Sequence, residues 1–231
     1  MATYVLIHGA GSDSWYWHLV IPRLRGRGHE VIAPDLPCED DSAGLSAYVD
    51  LVVEAIGDRR DVVVVAQSLA GFTAPVVCQR VPVDLLVLVA AMVPAPGETA
   101  GDWWGNTGVE QARRAADVAA GRDPDAPFDP LSVFLHDLPP DVLDEALRHP
   151  PKEESAAFFK EPWPLTAWPD VPTRFLLCRD DRFFPADFQR RVVAERLGIT
   201  PDEIDGGHLP ALSRASDLVE CLERFRTESV R

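Results

Sequence analysis

At 231 residues, with 46% hydrophobic and 26% charged side chains, the chain fits one globular domain, or one domain carrying an insertion, and its composition excludes a disordered polymer. A formal charge of −15 argues against nucleic acid or an anionic membrane surface as partner, because both require a basic face. Solubility is the expected use of that charge, with a small molecule as the partner and a monomer or homodimer as the assembly.

The first element is an apolar strand over Thr3–Ile7, ending in His8-Gly9-Ala10-Gly11. Ser12 or Asp13 can cap the helix that follows, in which Trp15, Leu19, Ile21 and Leu24 recur near helical spacing until Gly26 and Gly28. A second strand is predicted over Glu30–Ala33, closed by Pro34-Asp35. Leu45, Val49, Val52, Val53 and Ile56 then mark an amphipathic helix stopped by Gly57.

The stretch Asp61–Pro82 organises the rest. Val62–Val65 is a β-branched run with no polar face, as in a strand buried on both sides. Ser68 follows among the small residues Ala66, Ala70 and Gly71, and a helical pattern then begins with Pro75 inside it, where a bend or a wide first turn is expected. A strand, a sharp turn bearing serine and a helix form the nucleophile elbow written G-x-S-x-G, although here both glycines of the pattern are alanine. Val83–Met92 is a further apolar strand. Apolar strands alternating with helices predict an α/β fold, a parallel sheet of about six strands with helices on both faces.

After Val93 the composition changes. Residues 94–172 hold 13 of the 21 prolines and four of the six tryptophans, with helical patches over Val109–Ala120 and Pro140–Leu147 and no strand signal. This predicts a helical insertion, residues 94–172, set into a core formed by 1–93 and 173–231. The core resumes with a strand over Thr173–Cys178, a helix over Ala186–Leu197, a short strand near Ile199–Ile204 and a closing helix over about Pro210–Phe225.

In a parallel sheet, reactive groups collect beyond the carboxyl ends of the strands. Those ends carry His8-Gly9-Ala10-Gly11, Ser68, Asp180-Asp181 and Gly206-Gly207-His208. Ser, then Asp, then His is the chain order of the triad served by a nucleophile elbow. Of six histidines only His208 lies beyond the last strand pair. His18 and His29 read as surface or packing residues, His136 and His149 as solvated, and His8 as a structural hydrogen-bonding group of its loop. Asp180 and Asp181 are adjacent and cannot both face one histidine, so the residues alone leave the acid open between them. The oxyanion hole is expected from the backbone N–H groups of Leu69, at a helix N-terminus, and Ala10, in the glycine-flanked loop.

The segments IHGAGSDSWYW, AQSLAGFTAP, CRDDRFFP and GGHLPALSRASDLV resemble the short α/β-hydrolases that include plant salicylate methyl esterases and hydroxynitrile lyases. The likeness spans nearly the whole chain. It implies an α/β-hydrolase sheet with a helical lid before the acid, Ser68 as nucleophile, His208 as base and Asp181, the residue preceding R-x-x-P, as acid. The departures are Ala66, Gln67 and Ala70, where the family usually has Gly, His and Gly. Cyanohydrin-cleaving members carry Thr after the loop His and Lys beside the catalytic His. Here those positions are Gly9 and Leu209, which favours an esterase.

The expected activity is therefore serine hydrolysis of a small, largely apolar ester, thioester or lactone, with no metal and no cofactor. Trp103, Trp104, Phe128 and Phe134 are expected to line an apolar pocket under the lid, with Gly9 and Leu209 against the substrate. A lyase or biosynthetic cyclase of the same fold, and a receptor that binds without turnover, are the alternatives. Cys38, Cys78, Cys178 and Cys221 show no C-x-x-C spacing and read as buried hydrophobes in a reducing compartment. With no basic leader and no apolar run that could span a bilayer, a cytoplasmic location is the expectation.

Overall fold

The structure is a computed structural model, and it describes residues 1–229. Six parallel strands, β1 (Thr3–Ile7), β2 (Glu30–Ile32), β3 (Val62–Gln67), β4 (Leu85–Val89), β5 (Thr173–Cys178) and β6 (Asp202–Ile204), form one sheet in the order β2-β1-β3-β4-β5-β6. Val64 of β3 lies opposite Val5 of β1 and Leu86 of β4, so the β-branched run occupies the middle of the sheet. Alternation sends successive side chains of each strand to opposite faces, and both faces are covered.

One face buries Val5, Val62, Val64, Leu86 and Leu88 against α2 (Leu45–Ile56), α3 (Ala70–Arg80) and α8 (Ala186–Leu197). The other buries Tyr4, Leu6, Val63, Val65 and Val87 against α1 (Ile21–Gly26) and α10 (Ala215–Ser229). Between β4 and β5 run α4 (Ala100–Thr107), α5 (Val109–Ala119), α6 (Pro130–Phe134), α7 (Pro140–Arg148) and a 3-10 turn over Phe158–Lys160. The one pairing in this stretch is an isolated antiparallel bridge, Thr99 with Pro162. Among the described residues, no helix is long and apolar enough to cross a membrane.

Several boundaries differ from the sequence reading, each for a local reason. Asp13 caps a 3-10 turn, Ser14–Trp17, by accepting the Trp15 N–H, and α1 starts only at Ile21 with Pro22 in its first turn. Strand β4 stops at Val89 rather than Met92, because Ala90 takes φ +43° and Met92 turns its N–H to the Ser68 carbonyl. Helix α3 continues through Pro75, which removes one intrahelical bond without ending the helix. Only Asp202–Ile204 of the last predicted strand pairs, and the closing helix is split into α9 (Pro210–Ser213) and α10 by the non-helical backbone of Arg214. Helix α4 escaped the periodicity reading because Gly101 and Gly105 dilute its pattern. Thr99 starts it by accepting the Asp102 N–H.

Candidate active site

The strand–turn–helix at residue 68 places a serine where the backbone is strained. Ser68 has φ +52°, a left-handed conformation that a side chain adopts only when its surroundings enforce it. Its N–H donates to the Val89 carbonyl at 3.2 Å, and its own carbonyl accepts from Met92 N–H at 2.9 Å. The turn is thereby tied to the end of β4 on both sides. Gly71 is the residue this crossing needs, since a Cβ there would overlap the Met92 carbonyl, a backbone group with no rotamer to escape through. Ala66 and Ala70 are buried at 0% and 2% exposure.

Gly71→Ala is accordingly expected to push α3 off β4, costing about 1–3 kcal/mol by overpacking and roughly 10²-fold in kcat/KM through displacement of Ser68. Ala70→Gly should lose less than about 1 kcal/mol, from chain entropy alone. Rates measured beside denaturation midpoints check this pair. A wild-type rate in Gly71→Ala would mean that the crossing has room to spare.

His208 follows β6 and is buried. Its Nε2 lies 3.0 Å from Ser68 Oγ, and its Nδ1 lies 2.8 Å from Asp181 Oδ2. Asp181 is itself fixed, for Oδ1 accepts the N–H groups of Phe183 (2.8 Å) and Phe184 (2.9 Å), and Gln189 Nε2 donates to Oδ2 at 3.3 Å. Asp180 points the other way and is exposed, its carboxylate accepting the Gly206 N–H at 3.1 Å. The rings of Phe183, Phe184 and Phe134 stand 5.0, 5.0 and 5.5 Å from the imidazole and keep water from its sides. Gln67, noted in the sequence only as a departure, donates from Nε2 to the His208 carbonyl at 3.1 Å and ties the elbow to the histidine turn.

Among the described residues, the N–H groups of Ala10 and Leu69 donate to no protein acceptor, and both residues border the cavity above Ser68. Two unclaimed donors beside a serine hydroxyl can receive a developing oxyanion. His8 braces the first of these loops. Its Nδ1 donates to the Gly9 carbonyl at 2.9 Å and its Nε2 accepts the Leu36 N–H at 3.1 Å, an arrangement that requires neutral imidazole. Burial lowers its pKa in the same direction, against a smaller opposing effect of the Gly9 carbonyl.

The cavity over Ser68 measures about 440 Å³ and is mainly apolar, with Trp15, Tyr16, Met92, Trp104, Phe134 and Leu209 on its walls. Three expected lining residues are elsewhere. Trp103 is 1% exposed and sits in the core, its indole N–H on the Val93 carbonyl and its ring on Phe184 and Phe188, because α4 turns that face inward. Phe128 is 54% exposed, on the outer side of Phe134 and Phe183. Gly9 lies buried behind the elbow, where a Cβ would stand 2.8 Å from Ser68 Cβ.

Other residues on or near the cavity carried no sequence signal. His149, expected in solvent, stacks on Trp15 at 4.6 Å and bonds Asp13 at 3.0 Å. Burial works to raise the Asp13 carboxyl, but the bonds from His149 and the Trp15 N–H outweigh it and hold it below the usual carboxylate range. His136, also expected in solvent, is half-buried beside the histidine turn, and burial lowers its pKa. Next to it Asp137 accepts the Gly207 N–H at 2.8 Å. Glu154, from a polar stretch without periodicity, also borders the cavity.

The family model described as "Alpha/beta hydrolase family" matches residues 4–220. Among curated proteins the chain is similar to norfluorocurarine synthase 1 of Strychnos sp (23% identical, covering 98% of this chain and 96% of that one). It is also similar to methylesterase 3 of Arabidopsis thaliana (25% identical, covering 94% and 93%). Among solved structures, polyneuridine aldehyde esterase superposes with a TM-score of 0.77 at 21% identity, over 97% of this chain and 98% of that one.

Proposed function

We propose that this chain, which belongs to the alpha/beta hydrolase family, hydrolyses a small, largely apolar carboxylic ester through an acyl-enzyme on Ser68. The observation that carries the reading is the buried relay from Ser68 Oγ through His208 to Asp181, launched from a strained turn. The methylesterase and esterase among its relatives favour the same chemistry.

His208 Nε2, unprotonated, takes the Ser68 proton as Oγ attacks the ester carbonyl, and the new oxyanion rests on the Ala10 and Leu69 N–H groups. The Nε2 proton then passes to the leaving alkoxide, which departs as alcohol. Water, deprotonated by the same nitrogen, attacks the acyl-enzyme, and the acid leaves with Ser68 restored. Asp181 holds the Nδ1–H tautomer and stabilises the imidazolium formed in each half. The segment 94–172 acts as the lid of this site, with Trp104 and Phe134 on the acyl group. The four cysteines are free thiols, which fits a reducing compartment, and we place the enzyme in the cytoplasm.

A panel of p-nitrophenyl esters tests the reading. From acetate to butyrate kcat/KM should rise, because each methylene buried in an apolar wall is worth about 0.8 kcal/mol, roughly fourfold. Absence of acid release across the panel would overturn it. The synthase among the relatives carries a second reading, a biosynthetic conversion at the same residues. It predicts covalent labelling of Ser68 without ester turnover.

A further inference from the structure

Gly11, directly after the expected oxyanion donor Ala10, is held by the inserted segment at both ends of its backbone. Its N–H donates to Glu154 Oε2 at 3.0 Å, and its carbonyl accepts the Lys152 N–H at 3.0 Å. Glu154 is anchored on its far side, where Oε1 receives the hydroxyl of the buried Tyr48 from α2. Gly11 has φ +64°, and a Cβ there would stand 3.2 Å from the Lys152 carbonyl, so the loop and the insertion fit closely. The two bonds fix the Ala10–Gly11 and Gly11–Ser12 peptide units in turn, and His8 Nδ1 holds the carbonyl of the preceding Gly9–Ala10 unit, so the unit that carries the Ala10 N–H beside the cavity is braced on both sides.

We propose that Glu154 is a positioning residue for the oxyanion hole, acting through the Gly11 N–H, so that an insertion side chain completes the site built by the core. The inference rests on the esterase reading above. Tyr48, Glu154 and Gly11 form a strut from α2 through the insertion to the loop after β1, and removing the carboxylate frees that loop to turn. Burial pushes the Glu154 carboxyl up, against smaller opposing effects of the Tyr48 hydroxyl and the Gly11 N–H that it accepts. Glutamine at this position still offers an oxygen to Gly11 and an N–H to Tyr48. Aspartate, one methylene shorter, cannot reach both.

The test compares Glu154→Ala, Glu154→Asp and Glu154→Gln in kcat, KM and the affinity of an alkyl trifluoromethyl ketone against its methyl ketone analogue. The fluorinated ketone adds Ser68 Oγ to its carbonyl carbon, sends the hydroxyl proton to His208 and leaves its oxygen as an anion in the hole; the methyl ketone binds without addition. Losing a whole donor costs about 10²–10³-fold, so misaiming one should lower kcat about 10–100-fold in Glu154→Ala, with KM nearly unchanged. The trifluoromethyl ketone should weaken in parallel while the methyl ketone does not. Glu154→Asp should fall between, and Glu154→Gln should recover most of the rate. Glu154→Asp provides the reading if the alanine variant does not fold. Equal losses for both ketones, or unchanged kcat in folded Glu154→Ala and Glu154→Asp, overturn the inference and leave the esterase reading intact. A wild-type protein that neither turns over esters nor adds to the trifluoromethyl ketone overturns both.

Discussion

Replacing Ser68 with alanine is expected to lower kcat on the order of 10⁶-fold, the loss seen when a triad nucleophile is removed from a serine hydrolase. The size follows from what the hydroxyl does. Without Oγ there is no covalent intermediate, and His208 can only activate water from a position arranged for a different atom. The fold should survive, because among the described residues the side chain's one hydrogen-bond partner is His208 and the strain at residue 68 is set by the backbone ties to Val89 and Met92. A thermal midpoint near wild type beside the lost rate is the expected pair of results. A variant that keeps more than a few per cent of kcat would move the nucleophile elsewhere.

Asp181→Asn should cost about 10⁴-fold in kcat, and the geometry gives the reason. The N–H groups of Phe183 and Phe184 both point at Oδ1, so the amide oxygen of asparagine must stay there. Its NH₂ then faces His208 Nδ1 and forces that nitrogen to be an acceptor. The ring proton moves to Nε2, the position that must accept the Ser68 proton. Asp180→Asn should change kcat less than about threefold, since its amide oxygen can still take the Gly206 N–H at an exposed site far from these protons. The two variants measured side by side, with circular dichroism to confirm folding, decide the assignment. The reverse ranking would make Asp180 the acid.

Much of this site was legible because its parts lie at strand ends, where topology dictates what meets what. Apolar runs located the strands, chain order selected Ser68 and His208, and a family likeness selected Asp181 where adjacency alone could not. The backbone donors Ala10 and Leu69 followed from loop and helix-start chemistry. What was hidden depends on tertiary facing. Trp103 and Trp104 are neighbours in a helix, yet one fills the core and the other the cavity wall, a choice made by the rotation of α4 about its axis. Phe128 and Phe134 divide between solvent and site in the same way. The elbow's alanines drew attention as departures, whereas the close approach is made at Gly71, which no motif spacing singles out. Glu154 and Asp137 lie in proline-rich turns without periodicity, and only the folding of the stretch between β4 and β5 brings them onto Gly11 and Gly207.

The central claim is that Ser68 is an activated nucleophile, and a fluorophosphonate probe tests it most directly. Wild-type protein incubated with the probe under native conditions and analysed by intact and peptide mass spectrometry should gain one phosphonyl group on the peptide containing Ser68. The Ser68→Ala variant should gain none, and denatured wild type should also stay unlabelled, because a serine without its base does not attack phosphorus. Unlabelled native wild type, or labelling on any other residue, would contradict the account.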